Sequence, residues 1–339
     1  MTNHLRLPAL ACAFALGVGA TWQRNPTSRP IWLDRRGATI EVELVGDGSV
    51  STAGNEFGGA VTPNGREMYF TRSVPRSYMY VILVSRFVNG RWRAPEVASF
   101  SGSGRDFDPV ITPDGKRLYF ISDRGSGGQR SRSYDLWMAE RDGDEWGEPV
   151  RVDAPISLES SDRLTHEWFA SATRDGTLYF SAVREDSPGG AADIYRSRFV
   201  EGRFAEPEKL DSTINTPGWE SEPYIAPDES FLLFSALDRR DGFGGWDIYI
   251  SYRDGAGWTA PRNLGPLVNT ATRDYSSRLA PDSHTLYFTS ERHFRMSDAS
   301  GPPPRVDYKS LVRGARGIYN GGGNIYRIDL RNLPVFRTQ

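Results

Sequence analysis

A pattern that recurs five times along the chain constrains its fold more than any other feature. Each copy places an acidic residue beside an aromatic one, continues through a short mixed segment into a Pro-Asp-Gly-like turn, and returns with an aromatic pair and a small polar residue. The residues before the five turns are Thr62, Thr112, Thr173, Ala226 and Ala280, so successive copies are spaced by 50, 61, 53 and 54 residues. This period indicates a repeat protein in which each copy forms one supersecondary unit.

Each copy predicts four antiparallel strands. The first strand runs into the turn, where Pro sets φ at the first position and Asn, Asp or Gly tolerates the tight geometry that follows. The second strand reads "LYFIS" or a relative, the third reads "DIYRSRF" or a relative, and in four copies a hairpin turn leads to the fourth. Gly or Pro interrupts every short window, so no helical periodicity is sustained. Four antiparallel strands in one repeat are typical of a β-propeller blade.

The fifth copy ends with its third strand, so its fourth strand must come from elsewhere in the chain. The segment "SVSTAGNE" (49–56) aligns without a gap with "TINTPGWE" (213–220) and "LVNTATRD" (267–274), which both follow fourth strands. The preceding "ATIEVELVG" (38–46) is therefore predicted to pair with the last blade, which removes the open sheet edges. We predict an all-β fold with one five-bladed propeller. The remaining "IWLDRRG" (31–37) leaves a six-bladed alternative open.

The N-terminal segment has the composition of an export signal. Arg6 precedes the apolar run "LPALACAFALGVGA", and Val18-Gly19-Ala20 supplies small residues for cleavage. We expect a signal peptide over 1–20, a linker over 21–37, the propeller over 38–331 and a tail over 332–339. The run is too short and Gly-broken for a transmembrane helix, so the mature chain is expected to be periplasmic or secreted without a membrane span. Cys12 leaves a lipoprotein alternative open.

Composition argues against several functional classes. The 339 residues include 41 basic and 43 acidic residues, for a net charge of −2, so no nucleic-acid partner is expected. Cys12 is the only cysteine, so the mature chain needs no disulfide in an oxidising compartment. The sequence contains no Gly-x-Ser-x-Gly or His-Glu-x-x-His motif and no cysteine nucleophile after cleavage, so we assign no catalytic residue.

The repeat resembles the TolB-type, WD-repeat-like β-propeller family over about residues 40–330. In that family the repeat continues from Pro-Asp-Gly to Leu-Tyr-Phe-Ser, then Asp-Ile-Tyr and Gly-x-Trp-x-x-Pro. The resemblance implies an exported, mostly non-enzymatic propeller that binds other envelope components. Copy three departs from the pattern with Arg174 in place of the turn proline, and copy one has Val81-Ile82-Leu83 in place of Asp-Ile-Tyr. Residues 21–40 are too few for the extra N-terminal domain of TolB, so its particular partners are not carried over.

An acidic residue precedes the first strand of every copy, and an arginine follows every second strand. The acids are Glu56, Asp106, Glu167, Glu220 and Asp274, and the arginines are Arg72, Arg124, Arg184, Arg239 and Arg292. Hairpin register brings each arginine within a few residues of its acid, so the opposite charges satisfy one another. We predict a structural acid–arginine ring near the central axis. A site for a cation or a basic ligand is the alternative.

Two other sets of residues each occupy one position in four copies of the repeat; we call each set a column. For each column a functional interpretation stands beside a structural one. The third strands open with Asp135, Asp193, Asp247 and Asn324, which suit either calcium ligation or hydrogen bonds from the Gly-rich loop before them. We favour the loop contacts and predict no metal or cofactor. Aromatic residues follow the hairpin turns at matching positions: Trp92, Trp146, Phe204 and Trp258. We expect them to fill the core between blades rather than to form a platform for sugars.

The turns between strands one and two and between strands three and four of each blade are tight and lie on one face of the propeller. The opposite face therefore carries the connections between strands two and three and between blades, which are long and unequal. The longest connection is 293–323, well beyond ordinary loop length. The long-loop face carries the predicted ligand-binding residues: Arg130, Arg132, Arg295, Arg305, Lys309, Arg313 and Arg316. We predict a monomeric, non-enzymatic scaffold that binds an envelope protein or an anionic polymer there. The alternative is a glycoside hydrolase with non-repeated carboxylates at the central funnel, with Asp108 and Glu222 as candidates.

Overall fold

The structure is a computed structural model that describes residues 32–33, 39–40, 42–74, 79–125, 130–158, 166–184, 187, 190–292 and 307–336. The predicted signal peptide and Cys12 lie outside these residues, as does most of the predicted linker. The chain divides into two compact units, 1–41 and 42–339. In the first unit, β1 (Trp32–Leu33) pairs antiparallel with β2 (Thr39–Ile40).

The second unit is a five-bladed β-propeller, as predicted. It begins with β3 (Glu43–Leu44), which belongs to blade 5. Blade 1 comprises β4 (Asn55–Val61), β5 (Glu67–Val74), β6 (Met79–Val88), β7 (Arg91–Trp92) and β8 (Glu96–Val97). Blade 2 comprises β9 (Asp106–Ile111), β10 (Arg117–Arg124), β11 (Arg130–Asp142), β12 (Glu145–Trp146) and β13 (Val150–Arg151).

The remaining blades repeat this order. Blade 3 comprises β14 (His166–Ala172), β15 (Leu178–Val183), β16 (Asp193–Ser197), β17 (Phe199–Val200), β18 (Arg203–Phe204) and β19 (Glu208–Lys209). Blade 4 comprises β20 (Glu220–Ile225), β21 (Phe231–Leu237), β22 (Trp246–Asp254), β23 (Gly257–Trp258) and β24 (Arg262–Asn263). Blade 5 comprises β25 (Asp274–Leu279), β26 (Thr285–Ser290), β27 (Asn324–Asp329) and β3.

The outermost strand is divided in two in blades 1 to 4. In blade 2, β12 pairs with the end of β11, whereas β13 pairs with its middle. Pro149 stands between the two halves, and a proline has no backbone N–H to donate to the ladder. Blades 1, 3 and 4 carry a proline at the same place, at Pro95, Pro207 and Pro261.

The N-terminal side of the chain closes the ring, which confirms the prediction. Leu44 and Glu43 of β3 pair with Tyr326 and Arg327 of β27, and Val45 N donates to Ile325 O at 2.9 Å. This closing strand is shorter than the predicted 38–46, because Thr39 and Ile40 pair with β1 instead.

The hydrophobic core lies between neighbouring blades. Tyr119 and Leu136 of blade 2 share one buried cluster with Leu178 and Phe180 of blade 3. Equivalent clusters join blades 3 and 4, blades 1 and 2, and blades 5 and 1. The aromatic column after the hairpins contributes to these clusters, as predicted. Trp146 and Trp258 are buried members of two clusters, and Trp92 and Phe204 are partly buried and pack against two others. These side chains are therefore core residues.

The long connection before β27 contains a helix that the sequence analysis treated as loop. This helix, α1 (Tyr308–Ala315), is only eight residues long, too short for its periodicity to stand out from the surrounding Gly and Pro. The segment after α1 docks on blade 1, where Asn320 Nδ2 donates to Ala53 O at 2.9 Å and Gly323 N donates to Asn55 Oδ1 at 2.7 Å. In the part of the chain that the structure describes, no helix has the length and apolar character to cross a membrane.

Candidate functional site

The acid–arginine ring joins residues of the same blade. The five acids have no exposed surface. Four ion pairs have closest N–O distances of 2.8, 2.8, 3.0 and 3.5 Å: Arg72–Glu56, Arg124–Asp106, Arg239–Glu220 and Arg292–Asp274. In blade 3, burial raises the pKa of Glu167 to about 7, and the positive charge of Arg184 opposes this shift.

Each ring arginine also holds the connection that enters its blade. Arg239 donates to Ile214 O at 2.6 Å, and its guanidinium lies 5.1 Å from the centre of the Phe234 ring. The other four arginines repeat both contacts, with the carbonyls of Ser49, Phe100, Ile156 and Val268 and the rings of Phe70, Phe120, Phe180 and Phe288. The ring therefore ties one blade to the next in the same way around the propeller.

The acidic column of the third strands is also occupied by protein contacts. Asp135 lies 3.1 Å from Arg151, Asp193 lies 2.7 Å from Lys209, and Asp247 accepts from Phe243 N at 2.6 Å. The expected bond from the preceding loop is thus made by Asp247, while Asp135 and Asp193 pair with fourth-strand cations. Within the described ranges, no group of three or more His, Cys, Asp or Glu side chains is arranged to hold a metal ion.

A different set of residues lines the axis itself, two positions beyond each ring acid. This axial row consists of Gly58, Asp108, Phe169, Glu222 and Ser276, and all five have positive φ, between 49° and 67°. Each lies at a β-bulge where the first strand loses register with the second. Non-glycine residues adopt this conformation rarely and at a cost. Unlike the ring, the axial row has a different residue in every blade.

Three blades meet in a buried polar cluster on the axis. The Ser276 hydroxyl lies 3.0 Å from Glu222 Oε1 and 3.4 Å from both carboxylate oxygens of Asp108, while Ser276 N donates to Glu222 Oε2 at 2.7 Å. Arg278 Nη2 lies 3.5 Å from Asp108 Oδ1. Asp108 and Glu222 are 2% and 6% exposed. The structure thus brings together the two carboxylates that the sequence analysis singled out.

Burial, followed by the charges of its neighbours, determines how Asp108 titrates. Burial raises the pKa of Asp108 to about 7, with Arg278 opposing the shift and Glu222 adding to it. The single positive charge of Arg278 can balance only one of the two carboxylates, so a proton is retained more readily when Glu222 is also charged. Asp108 is therefore protonated through much of the acidic range.

Aromatic side chains form a continuous arc beside the axial row. The arc runs through Tyr275, Phe57, Tyr80, Phe107, Tyr134, His166, Trp168 and Phe169, with ring centroids of successive neighbours 4.9–6.4 Å apart. Such separations are typical of edge-to-face and offset-stacked pairs. The arc spans blades 5, 1, 2 and 3, whereas blade 4 has Ser221 at the matching position. Because these residues stand near the starts of first and third strands, the arc lies at the long-loop end of the axis.

Much of this axial arc remains accessible. Phe57 and Tyr275 are buried, whereas the other six rings are partly exposed. Burial lowers the pKa of His166, which keeps its ring neutral near pH 7. The arc therefore presents uncharged flat rings to the solvent at the mouth of the propeller.

Sequence reasoning missed the arc, although part of its signal was visible. Phe57, Phe107, Trp168 and Tyr275 each follow a ring acid directly, and this aromatic column is part of the repeat. Tyr80 and Tyr134 come from third strands and have no such pattern. Only the folded propeller brings them against the first-strand rings.

The predicted basic site on the long-loop face remains a prediction. Lys309 lies in α1 and Arg316 directly follows it, and both are exposed. Arg130, Arg132 and Arg313 lie in β11 and α1, but the structure describes only their backbone. Arg295 and Arg305 lie outside the described residues.

No protein-family model and no curated protein matches this chain. Among solved structures, one titled as a glycoside hydrolase shares 10% identity at a TM-score of 0.52, covering 86% of this chain and 92% of its own. TolB from Acinetobacter baumannii shares 16% identity at 0.44, covering 77% of this chain, which spans only 53% of that protein. A putative TolB from Agrobacterium tumefaciens shares 15% identity at 0.46, with coverages of 81% and 90%. At these identities, the glycoside hydrolase shows a shared β-propeller fold, and none of the three assigns an activity.

Proposed function

We propose that this chain is a non-enzymatic binding module whose ligand lies on the axial arc. The observation that carries the proposal is the contrast between the axial arc and the buried polar cluster of Asp108, Glu222 and Ser276. Six of the eight rings of the arc are partly exposed, whereas the carboxylates of Asp108 and Glu222 are enclosed and hydrogen-bonded to protein groups. A surface of aromatic rings with a few polar groups is typical of ligand sites.

Removal of an arc residue tests this function. Trp168→Ala removes the stacked partner of His166, so we expect at least a tenfold loss of affinity, about 1.4 kcal/mol, for any ligand of the mature protein. Immobilised polysaccharides and peptides from envelope proteins serve as the probes. Phe87→Ala, which removes an exposed aromatic ring from the outer part of blade 1, is the control and leaves affinity unchanged. A ligand that binds wild type and Trp168→Ala equally well would contradict the proposal.

We propose that the protein is exported, because its N-terminal segment has the composition of a signal peptide. Cleavage after Ala20 yields a mature chain that begins at Thr21. Mass spectrometry of the protein recovered from periplasmic and extracellular fractions measures this directly. A full-length chain that stays in the cytoplasm contradicts export, and a lipid-modified Cys12 at the N-terminus supports the lipoprotein alternative instead.

Glycoside hydrolysis is a second candidate function, favoured by one observation. Asp108 and Glu222 come from different blades and approach the same Ser276 hydroxyl, and the pKa of Asp108 is raised to about 7. A carboxylic acid that keeps its proton near neutral pH suits the general acid of a glycosidase. The enclosure of both groups argues against direct contact with a substrate.

Release of reducing ends from a panel of polysaccharides separates the two functions. If the protein is a binding module, wild type releases no more reducing ends than the Asp108→Asn and Glu222→Gln variants do. Turnover by wild type that disappears in either variant replaces the binding module with the hydrolase. The same preparations are checked by far-UV circular dichroism, so that loss of folding is not taken for loss of activity.

A further inference from the structure

Two arginines flank the axial arc at equivalent repeat positions. Arg105 precedes the ring acid of blade 2 and Arg273 precedes that of blade 5, so blade 1 lies between them. Arg105 Nη1 donates to the Tyr134 hydroxyl at 3.0 Å, and the Arg273 guanidinium lies 5.2 Å from the centre of the Tyr275 ring. Both cations therefore contact members of the arc, one toward each side of blade 1.

Both arginines remain accessible while their positions are fixed. The Arg105 side chain is 32% exposed and lies 3.7 Å from Asp123, and the Arg273 side chain is 53% exposed and lies 3.4 Å from Glu291. A guanidinium has five N–H donors in a planar fork, so each of these contacts uses a fraction of its donors. The remaining donors suit a carboxylate, which a guanidinium binds in bidentate fashion.

The backbone near the axis is unsuited to a peptide. Gly58 N, Asp108 N, Glu222 N and Ser276 N all donate to side-chain oxygens, at 2.7–3.2 Å. Peptides that bind in extended form rely on main-chain hydrogen bonds, and these four donors are already used. These four positions therefore offer an extended peptide no main-chain donor, whereas the arc and its flanking arginines offer ring faces and guanidinium groups.

We infer that the ligand of the axial arc is an acidic polysaccharide, whose sugar rings lie on the arc and whose uronate carboxylates pair with Arg105 and Arg273. This inference rests on the proposed function and names its ligand class. Sugar rings present C–H faces that pack on aromatic rings, and carboxylates repeated along a polymer complement two cations separated by one blade. The exposed Arg316 adds positive charge in the segment that docks on blade 1.

Binding to paired polymers tests the charge requirement. Polygalacturonate, alginate and hyaluronate are titrated into the mature protein by calorimetry, each beside its methyl-esterified form, which keeps the sugar rings and removes the charge. We expect at least one acid form to bind, its ester to bind at least tenfold more weakly, and the affinity of the acid form to fall with salt. Failure of all three acid forms, or equal binding of acid and ester, overturns the inference.

Matched variants locate the charges. Arg105→Gln/Arg273→Gln lowers the affinity for the acid form to that of the ester and leaves ester binding unchanged. The control Arg66→Gln/Lys116→Gln removes the same charge from exposed positions in the tight turns of the opposite face and leaves both affinities unchanged. Equal losses in the two variants point to general electrostatic attraction and overturn the assignment. Urea unfolding of each variant confirms that the fold is intact.

The Trp168→Ala variant separates the two proposals. If it weakens binding of acid and ester alike while the arginine variant has no effect, the arc is the binding site but the ligand class is wrong. If Trp168→Ala has no effect on a polymer whose binding depends on Arg105 and Arg273, the arc is not the binding site and the proposed function is wrong. The inference then fails too, because it places the sugar rings on the arc. Binding of an uncharged peptide that requires Trp168 keeps the binding module and excludes the polysaccharide.

Discussion

The ring and the axial row lie two residues apart on the same strands, yet they follow opposite rules. Every blade places an acid and an arginine in the ring, and in each blade the arginine makes the same carbonyl and aromatic contacts. The axial row instead contains Gly58, Asp108, Phe169, Glu222 and Ser276. A contact that every blade makes serves the fold, because each blade must dock on the next. A position that differs in every blade can serve a site that exists once per molecule.

The axial cluster should show the largest effect of substitution. Asp108→Asn and Glu222→Gln each leave one carboxylate to balance Arg278, and each costs about 1 kcal/mol through altered hydrogen bonds. The double variant leaves a buried arginine without a counter-charge, so we expect a loss of about 5 kcal/mol, well above the sum of the single changes. Urea unfolding at pH 7 measures all three.

A third substitution checks the cause of that loss. Adding Arg278→Met to the double variant removes the unbalanced charge and restores part of the stability. A triple variant that is less stable than the double variant would show that packing, rather than charge, determines the effect. Additive single changes would show that the cluster does not act as one unit.

Substitutions in the ring should have a smaller and uniform effect. Arg239→Met leaves the buried Glu220 unpaired and removes the bond to Ile214 O, so we expect a loss of about 3–4 kcal/mol in the free energy of unfolding. Arg72→Met in blade 1 should cost about the same. Arg86→Met breaks an exposed pair with Glu96, in which Arg86 is 55% exposed, and should cost about 0–1 kcal/mol. Widely different costs in blades 1 and 4 would contradict the equivalence of the ring positions.

The dependence of stability on pH tests the buried carboxyl groups without a change in packing. Burial raises the pKa of Asp108 and of Glu167 to about 7 and that of Asp247 to about 6. A raised pKa in the folded state means that the folded protein holds a proton which the unfolded chain has released. Each group thus contributes stability that is complete below about pH 4 and is lost as the pH rises toward 6–7. The slope is about −1.4 kcal/mol per pH unit for one such group.

Asp108→Asn tests the share of one carboxyl group. The amide cannot ionise, so urea unfolding between pH 5 and 8 should show a flatter decline than wild type. Asp175→Asn is the control, because hydrogen bonding by Thr173 lowers the pKa of Asp175. The charged Asp175 carboxylate stabilises the fold at every pH above the pKa that this group has in the unfolded chain, and the stabilisation is lost only below that pH. Asp175→Asn therefore keeps the wild-type slope above pH 5. Parallel curves for Asp108→Asn and wild type would place the titrating proton elsewhere.

The predictable features are those that recur from one copy of the repeat to the next. Counting from the turn brings Glu56 opposite Arg72, and the structure pairs them across β4 and β5. The gapless match of 49–56 with two later copies predicted the closing strand that pairs with β27. The cluster was not predictable in this way, because Asp108 and Ser276, 168 positions apart, stand at a repeat position whose residue differs in every blade. Such a contact depends on the curvature of the whole ring.

The sequence by itself determined the strand order of the blades, the closure of the ring and the position of the aromatic core, because each follows from a repeated local pattern of turns, alternation and charge. It favoured five blades, and the structure excluded the six-bladed alternative. Only the tertiary structure decided which single residues share the axis. Five bulges with positive φ turn one residue per blade inward, and closure of the ring then sets Asp108, Glu222, Ser276 and Arg278 against one another beside the arc. A repeat determines what every blade has in common, whereas a site at the axis is made from the ways in which the blades differ.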